Sequence, residues 1–303
     1  MDGKLLKKYS SQSLRARIAI PGEKEMAVRF RVGNSMELAA DICGDWSGQP
    51  VLLLHGGGQT RHSWGSTMNE LGRAGFLVIN LDLRGHGHSA WAPDGDYSID
   101  AYANDLRSVI NLIGRPVALV GASLGGLTSL IAIGEEPRAS CAALILVDIA
   151  PRIELDGRDR IIEFMRSRPD GFTSLKEAAD TVAEFLPHRP RPTDTSGLAK
   201  NLRLGPDGRY YWHWDPAFME GRIGDESYDP ERFERAARAI DAPMILVRGR
   251  MSEIVSEEGA KAFRRIMPGA EYIDVREAAH MVAGDRNDVF TEAILSFLCR
   301  KLS

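Results

Sequence analysis

The sequence predicts an α/β protein with a mostly parallel central sheet flanked by helices, and three observations carry that prediction. Continuous apolar runs of strand length recur at Val51-Leu52-Leu53-Leu54, Phe76-Leu77-Val78-Ile79, Val117-Ala118-Leu119-Val120 and Ala143-Leu144-Ile145-Leu146-Val147, as expected of strands covered on both faces. Amphipathic stretches of helix length separate them, which is the rhythm of βα units. That rhythm stops once, between Pro151 and Ala239, and then resumes.

The first 25 residues carry Lys4, Lys7, Lys8, Arg15 and Arg17 but lack the apolar run of a signal peptide or anchor. Residues 1–25 are therefore read as a solvated N-terminal arm. Residues 26–32 and 36–42 are expected to form an antiparallel pair turning at Gly33-Asn34, two residue types that accept positive φ. Helices are expected near 62–74, 99–113 and 124–134, the second capped by Ser98 or Asp100.

The interruption at 151–239, with prolines clustered in Leu186-Pro187-His188-Arg189-Pro190-Arg191-Pro192, is expected to be a mostly helical lid inserted after the sixth strand. Its helices are placed near 156–168, 174–186 and 230–239. The core, 26–150 and 240–303, resumes with a strand at 244–247, a helix near 256–267, a strand at 272–275 and a closing helix from about 286 to 300.

A chain of 303 residues with 44% hydrophobic and 26% charged residues is able to bury a sizeable core. Its formal charge of -4 gives no general attraction to nucleic acid or an anionic membrane, and neither is expected as a partner. No stretch approaches the roughly 18 uninterrupted apolar residues of a membrane span. Cys43, Cys141 and Cys299 are odd in number, widely spaced and without a C-x-x-C pair. They are read as reduced thiols, and the chain as cytoplasmic. Oligomeric state is left open, a homo-oligomer included.

Chemistry concentrates at four places. Gly121-Ala122-Ser123-Leu124-Gly125-Gly126 follows an apolar strand and precedes a helix-like run, the setting of a G-x-S-x-G nucleophile elbow. The sharp turn crowds the backbone around Ser123, and small residues two positions before and after relieve it. His55-Gly56-Gly57-Gly58 directly follows the strand at Val51. In its position this loop resembles the one with which α/β-hydrolases build the second half of their oxyanion hole, and the resemblance implies the backbone N–H groups of Gly57 and Leu124 as the donors.

A serine hydroxyl needs a base to take its proton, and histidine titrates near working pH. His280, in Glu277-Ala278-Ala279-His280-Met281-Val282, follows the last apolar strand and is the expected base. His55, His86 and His88 fall on loops near the pocket mouth. No Cys or carboxylate spacing supports a metal site.

The stretches HGGGQTRHSW, NLDLRGHGHS, GASLGG and AAHMVAGD resemble the α/β-hydrolase superfamily, within it the single-domain esterase, C–C hydrolase and haloperoxidase-like group. The resemblance spans most of the chain outside the lid. The D-x-R-G-x-G-x-S turn from Asp82 to Ser89 marks the fold and assigns no substrate.

In that superfamily the triad acid usually follows the seventh strand in a G-x-x-D pattern, whereas Gly249-Arg250-Met251-Ser252 offers serine there, with Glu253 next. In other members it follows the sixth strand, where this chain has Asp148. Asp148 is favoured over Glu253, because it needs no one-residue shift and an unpaired carboxylate ending a buried strand would be costly. The resemblance also excludes dehalogenase and epoxide-hydrolase chemistry, which need aspartate at the elbow.

The segment Arg209-Tyr210-Tyr211-Trp212-His213-Trp214 concentrates aromatics in a chain only 7% aromatic. Tyr210, Trp212 and Trp214, with His55 and Gly58, are taken as substrate-binding residues, packing between lid and core being the competing reading. Arg152, Arg203 and Arg209 are candidates to hold a substrate carboxylate.

The expected activity is hydrolysis of a small carboxylic ester or related acyl substrate through an acyl-enzyme on Ser123, with no cofactor. Two alternatives stand beside it: C–C bond, lactone, amide or thioester hydrolysis by the same triad, and a non-catalytic ligand receptor of the same fold.

Overall fold

A computed structural model describes residues 26–33, 36–186, 195–220, 228–276, 278–280 and 287–302. The basic arm, Asn34, the proline cluster beyond Leu186, and Glu277, Met281 and Val282 lie outside the described residues.

Among the described residues, eight strands form one sheet and two form a separate hairpin. In chain order they are β1 (Met26–Val32), β2 (Met36–Gly44), β3 (Pro50–Leu54), β4 (Leu77–Leu81), β5 (Val117–Ala122), β6 (Cys141–Val147), the hairpin β7 (Leu202–Leu204) and β8 (Tyr210–Trp212), then β9 (Met244–Gly249) and β10 (Glu271–Val275). The sheet order is β1-β2-β4-β3-β5-β6-β9-β10. The pairs β1–β2 and β2–β4 are antiparallel, and every later pair is parallel.

The helices are α1 (Gly65–Arg73), α2 (Ile99–Ile113), α3 (Leu124–Gly134), α4 (Leu155–Arg166), α5 (Leu175–Phe185), α6 (Ser196–Ala199), α7 (Ala217–Glu220), α8 (Pro230–Arg238), α9 (Glu257–Ile266) and α10 (Thr291–Leu302). Ser98 caps α2 by accepting from the Ala101 amide, leaving Asp100 in the first turn, where a carboxylate suits the helix dipole.

The apolar runs are explained by a core on each face. Leu52, Leu54, Leu119, Leu144 and Leu146 pack with Tyr102, Leu106 and Val109 of α2 and Leu130 and Ile131 of α3. The intervening Val51, Leu53, Val120 and Ile145 pack with Met68 and Leu71 of α1 and Phe297 and Leu298 of α10. Alternation of side chains along each strand divides one apolar run between two layers.

Between β6 and β9 the described residues include the helices α4 to α8 and also the β7–β8 hairpin, which the sequence reading did not place. The last of these helices, α8, lies against α3, and the fit is close: a Cβ on Gly134 would sit 2.3 Å from the Ala236 carbonyl oxygen. Among the described residues, no helix is long and apolar enough to cross a membrane.

Candidate active site

Ser123 occupies the turn from β5 into α3 with φ 45° and ψ -116°, backbone values that a side chain bearing a Cβ seldom adopts. The flanking glycines are what allow it. A Cβ on Gly121 would lie 2.5 Å from the Gly125 backbone, and one on Gly125 2.7 Å from Leu54. The Ser123 carbonyl accepts from the amides of Gly126 (2.9 Å) and Leu127 (3.1 Å), so α3 begins at Leu124. First-turn amides of a helix have no intrahelical acceptor, and the dipole there favours negative charge.

Asp148 is the first residue beyond β6, at φ 49°. Its Oδ2 lies 2.7 Å from His280 Nδ1 and 2.7 Å from the Ser252 hydroxyl, while Oδ1 accepts from the Gly249 amide at 2.8 Å. Ser252 Oγ itself accepts from the amides of Ile254 (3.1 Å) and Val255 (3.0 Å), so its proton is directed at the carboxylate. An ionised carboxylate only accepts, which puts a proton on His280 Nδ1 and leaves Nε2 as the basic nitrogen. Asp148 is 2% exposed and His280 9%. Glu253 is elsewhere: its side chain is 55% exposed and pairs with Arg160 at 2.6 Å.

Ser123 and His280 line the same cavity, about 980 Å³ counting the part open to solvent. Gly57 and Leu124 are also on its wall. The remainder is largely apolar: Leu127, Ile149 and Ile254 come from the core side, and Ile153, Ile161, Ile162, Met165, Phe218 and Met219 from the segment between β6 and β9. Ile161 and Met165 stand four apart on α4, a helical spacing that signals one apolar face. Tyr97 also faces the cavity. Its hydroxyl donates to Asp215 at 2.5 Å, and burial together with that carboxylate pushes the phenol pKa up.

The residues expected to bind substrate are placed differently. His55 is fully buried and is not on the cavity wall. Its Nε2 accepts from the Leu83 amide at 3.0 Å, and its Nδ1 donates to the Gly56 carbonyl at 2.8 Å. Gly58 (φ 74°) lies against Met165 and Trp214, where a Cβ would sit 2.8 Å from the methionine methyl. Trp212 and Trp214 stack at 4.9 Å between centroids, and Trp212 meets Phe164 and Phe172 edge-on. Tyr210 pairs through its backbone with Phe172. None of the three, Tyr210, Trp212 and Trp214, lines the cavity that holds Ser123; Trp212 and Trp214 are buried and line a neighbouring cavity together with Met165 and Met219.

The arginines are likewise engaged elsewhere. Arg152 pairs with Glu234, Arg203 stacks over Trp91 at 4.1 Å, and Arg209 donates to the carbonyls of Asp170 and Gly171. Arg158, which was not singled out from sequence, is the arginine on the cavity wall.

Burial pushes His55 down to about 4 and His86 to about 3, so both rings are neutral at physiological pH. His86 accepts from the Gly58 amide at Nε2 (3.1 Å) and donates from Nδ1 to the Arg84 carbonyl (2.9 Å). Both ring nitrogens of each are occupied by backbone, so neither is available to a metal. Among the described residues no three His, Cys, Asp or Glu side chains converge to hold an ion.

Residues 49–286 match the family described as alpha/beta hydrolase fold. The chain belongs to that family. This α/β-hydrolase is 30% identical over 262 residues to Esterase Rv0045c of Mycobacterium tuberculosis, covering 84% of each chain. It is 25% identical over 270 residues to the mouse sn-1-specific diacylglycerol lipase ABHD11, covering 84% of this chain and 82% of the relative. A solved structure of the M. tuberculosis esterase superposes with a TM-score of 0.70 at 26% identity, covering 96% of this chain and 99% of the other. The structure of E-2-(acetamidomethylene)succinate hydrolase gives 0.77 at 24% identity, with 91% and 99% covered, a likeness of fold. The protein is a hydrolase enzyme of this family.

Proposed function

We propose that this α/β-hydrolase cleaves small carboxylic esters with an apolar acyl group through an acyl-enzyme on Ser123, with His280 as general base and Asp148 as the acid of the triad. The observation that carries the reading is the 2.7 Å contact between His280 Nδ1 and Asp148 beside a cavity wall that also bears Ser123.

His280 Nε2 takes the Ser123 proton as Oγ bonds to the carbonyl carbon. The carbonyl electron pair moves onto oxygen, and the amides of Gly57 and Leu124 stabilise that oxyanion in a site walled by apolar side chains. When the carbon–alkoxide bond breaks, the imidazolium returns its proton to the departing alcohol. Water then enters by the same route in reverse: His280 takes its proton, the hydroxide attacks the acyl carbon, and Ser123 Oγ leaves reprotonated. Asp148 stabilises the imidazolium at both stages.

Segment 151–239 acts as the lid of this site, supplying the apolar wall opposite Ser123 from Ile161, Ile162, Met165 and Phe218. The core in this reading is 26–150 with 240–303. The substrate is a small acyl compound whose apolar acyl group suits a wall in which aliphatic side chains predominate.

The test is reaction with a fluorophosphonate probe and turnover of short p-nitrophenyl esters by the wild type and Ser123→Ala. Labelling confined to the wild type, with loss of about 10⁴ or more in kcat for the variant, is the expected result. A variant retaining a tenth of the activity would dismiss Ser123 as nucleophile. A wild type that labels yet turns over only lactones, thioesters or diketones would keep the triad and replace the ester.

A further inference from the structure

We propose that His213, carried on the segment between β6 and β9, is a positioning residue that holds the loop bearing the Gly57 amide in its oxyanion-binding geometry. This rests on the catalytic reading given above. It assigns to the lid a role in the chemistry beyond that of a wall.

The loop Gly56-Gly57-Gly58 has three successive glycines, the residue type with the most backbone freedom to lose. The loop closes on itself through the Gln59 amide to the Gly56 carbonyl at 3.1 Å and the Gly56 amide to Gln59 Oε1 at 3.0 Å, and further preorganisation comes from outside. Three buried histidines contribute to it, one peptide plane each. His55 Nδ1 donates to the Gly56 carbonyl at 2.8 Å, and that peptide carries the Gly57 N–H on its opposite side. His86 Nε2 accepts from the Gly58 amide at 3.1 Å, fixing the next plane. His213 Nε2 lies 3.1 Å from the Gly58 carbonyl, fixing the third.

The tautomer of His213 follows from its other nitrogen. The Gly87 amide lies 2.8 Å from Nδ1 and can only donate, so Nδ1 is the acceptor and Nε2 bears the proton given to Gly58. The ring is 2% exposed, and burial, with the neighbouring His86 ring, keeps its pKa well below the ordinary histidine value. The three rings form a row, with centroids 5.1 Å apart from His55 to His86 and 5.7 Å from His86 to His213.

His213 differs from the other two in where it comes from. His55 and His86 belong to loops of the core, and His213 follows β8. The chain around it is tied down by two further bonds, from the Asp215 amide to the Gly85 carbonyl at 2.9 Å and from the Tyr97 hydroxyl to Asp215 at 2.5 Å. The hairpin end is thereby docked on the 85–87 turn, and both the N–H and the carbonyl of Gly58 are bonded to a histidine only when it is docked. A donor displaced by a fraction of an ångström from the oxyanion loses much of its effect on the transition state while leaving ground-state binding unchanged.

Two substitutions separate the two nitrogens. His213→Gln can place an amide N–H where Nε2 stood and keep the bond to Gly58. His213→Asn can place an oxygen where Nδ1 stood and keep only the bond to Gly87. On an ester that the wild type turns over, Gln should lie within about threefold of wild-type kcat, and Asn should lose about 10- to 100-fold with KM within about twofold. The inhibition constant of a trifluoromethyl ketone should weaken in step with kcat, and the two variants should melt within a few degrees of each other.

Equal kcat in the two variants, or a loss expressed entirely in KM, overturns the proposal. ¹⁵N NMR of the wild-type rings gives an answer that needs no variant to fold: a proton on Nδ1 of His213 overturns it, and one on Nε2 supports it. Wild-type protein without Ser123-dependent turnover would bring down the catalytic reading along with this one. Wild-type turnover with indistinguishable Gln and Asn variants would bring down this one alone.

Discussion

Replacing Asp148 by asparagine changes one oxygen to nitrogen and inverts the logic of the site. The carboxylate accepts three hydrogen bonds, from Gly249 N–H at 2.8 Å, Ser252 Oγ–H at 2.7 Å and His280 Nδ1–H at 2.7 Å. The amide side chain of the variant would have one oxygen and one NH₂. The Gly249 amide cannot accept, so it retains the oxygen, and the NH₂ is left facing His280 and Ser252. His280 must then offer Nδ1 as an acceptor, which moves its proton to Nε2 and turns the base into a donor toward Ser123. Loss of the correct tautomer costs about 10⁴ in kcat, or about 5 kcal/mol at 1.36 kcal/mol per decade. The measurement is kcat on a p-nitrophenyl ester for Asp148→Asn beside Glu253→Gln. The latter should change kcat less than about threefold, because Glu253 sits in an exposed ion pair with Arg160. A loss below about tenfold for Asp148→Asn, or a larger loss for Glu253→Gln, would refute the assignment.

Four further outcomes are expected. Because burial holds His55 at about 4 against about 6.5 when unfolded, the unfolded chain binds more protons between those values, and stability falls as pH drops through that window. At pH 5 this ring alone removes about 2 kcal/mol, with His86 and His213 acting in the same direction, so a urea midpoint that is unchanged or higher at pH 5 than at pH 7.5 would contradict the histidine geometry. Trp212→Ala should destabilise by about 3–5 kcal/mol and leave KM within about twofold, whereas a KM effect without a stability effect would return Trp212 to the substrate site. Along a p-nitrophenyl ester series each added methylene that fits should raise kcat/KM about fourfold, at about 0.8 kcal/mol apiece. Leu127→Trp, on the cavity wall one turn beyond Ser123, should shorten the longest chain accepted, and an unaltered series would show that the acyl group lies elsewhere.

The strands and the Ser123 turn were legible because each is a local signal. A run such as Val117–Val120 needs only its own composition to be read as doubly covered, and glycines at 121 and 125 announce the crowding at 123. The two carboxylates were a harder choice, since Asp148 and Glu253 differ in where a loop points its side chains, which depends on β6 pairing with β9. The place of the aromatic stretch was hidden for a related reason. Tyr210, Trp212 and Trp214 have the composition of a pocket, yet their partners, Phe164 and Phe172, belong to earlier parts of the chain that no local pattern connects to them. The hairpin escaped notice because β7 is only three residues long and mostly exposed, so no alternation could mark it. Nothing in the sequence announces that His55, His86 and His213 meet, since their bonds run to backbone atoms.

The Ser252–Asp148 contact means that the site has two seats for one carboxylate. Ser252 stands where the G-x-x-D pattern would put the acid, and its hydroxyl touches the same oxygen that holds His280. An aspartate at 252 in the present background would press two anions together and raise the affinity of one of them for a proton. Exchanged together, as Ser252→Asp with Asp148→Ser, the negative charge would change strands while the imidazole stayed where it is.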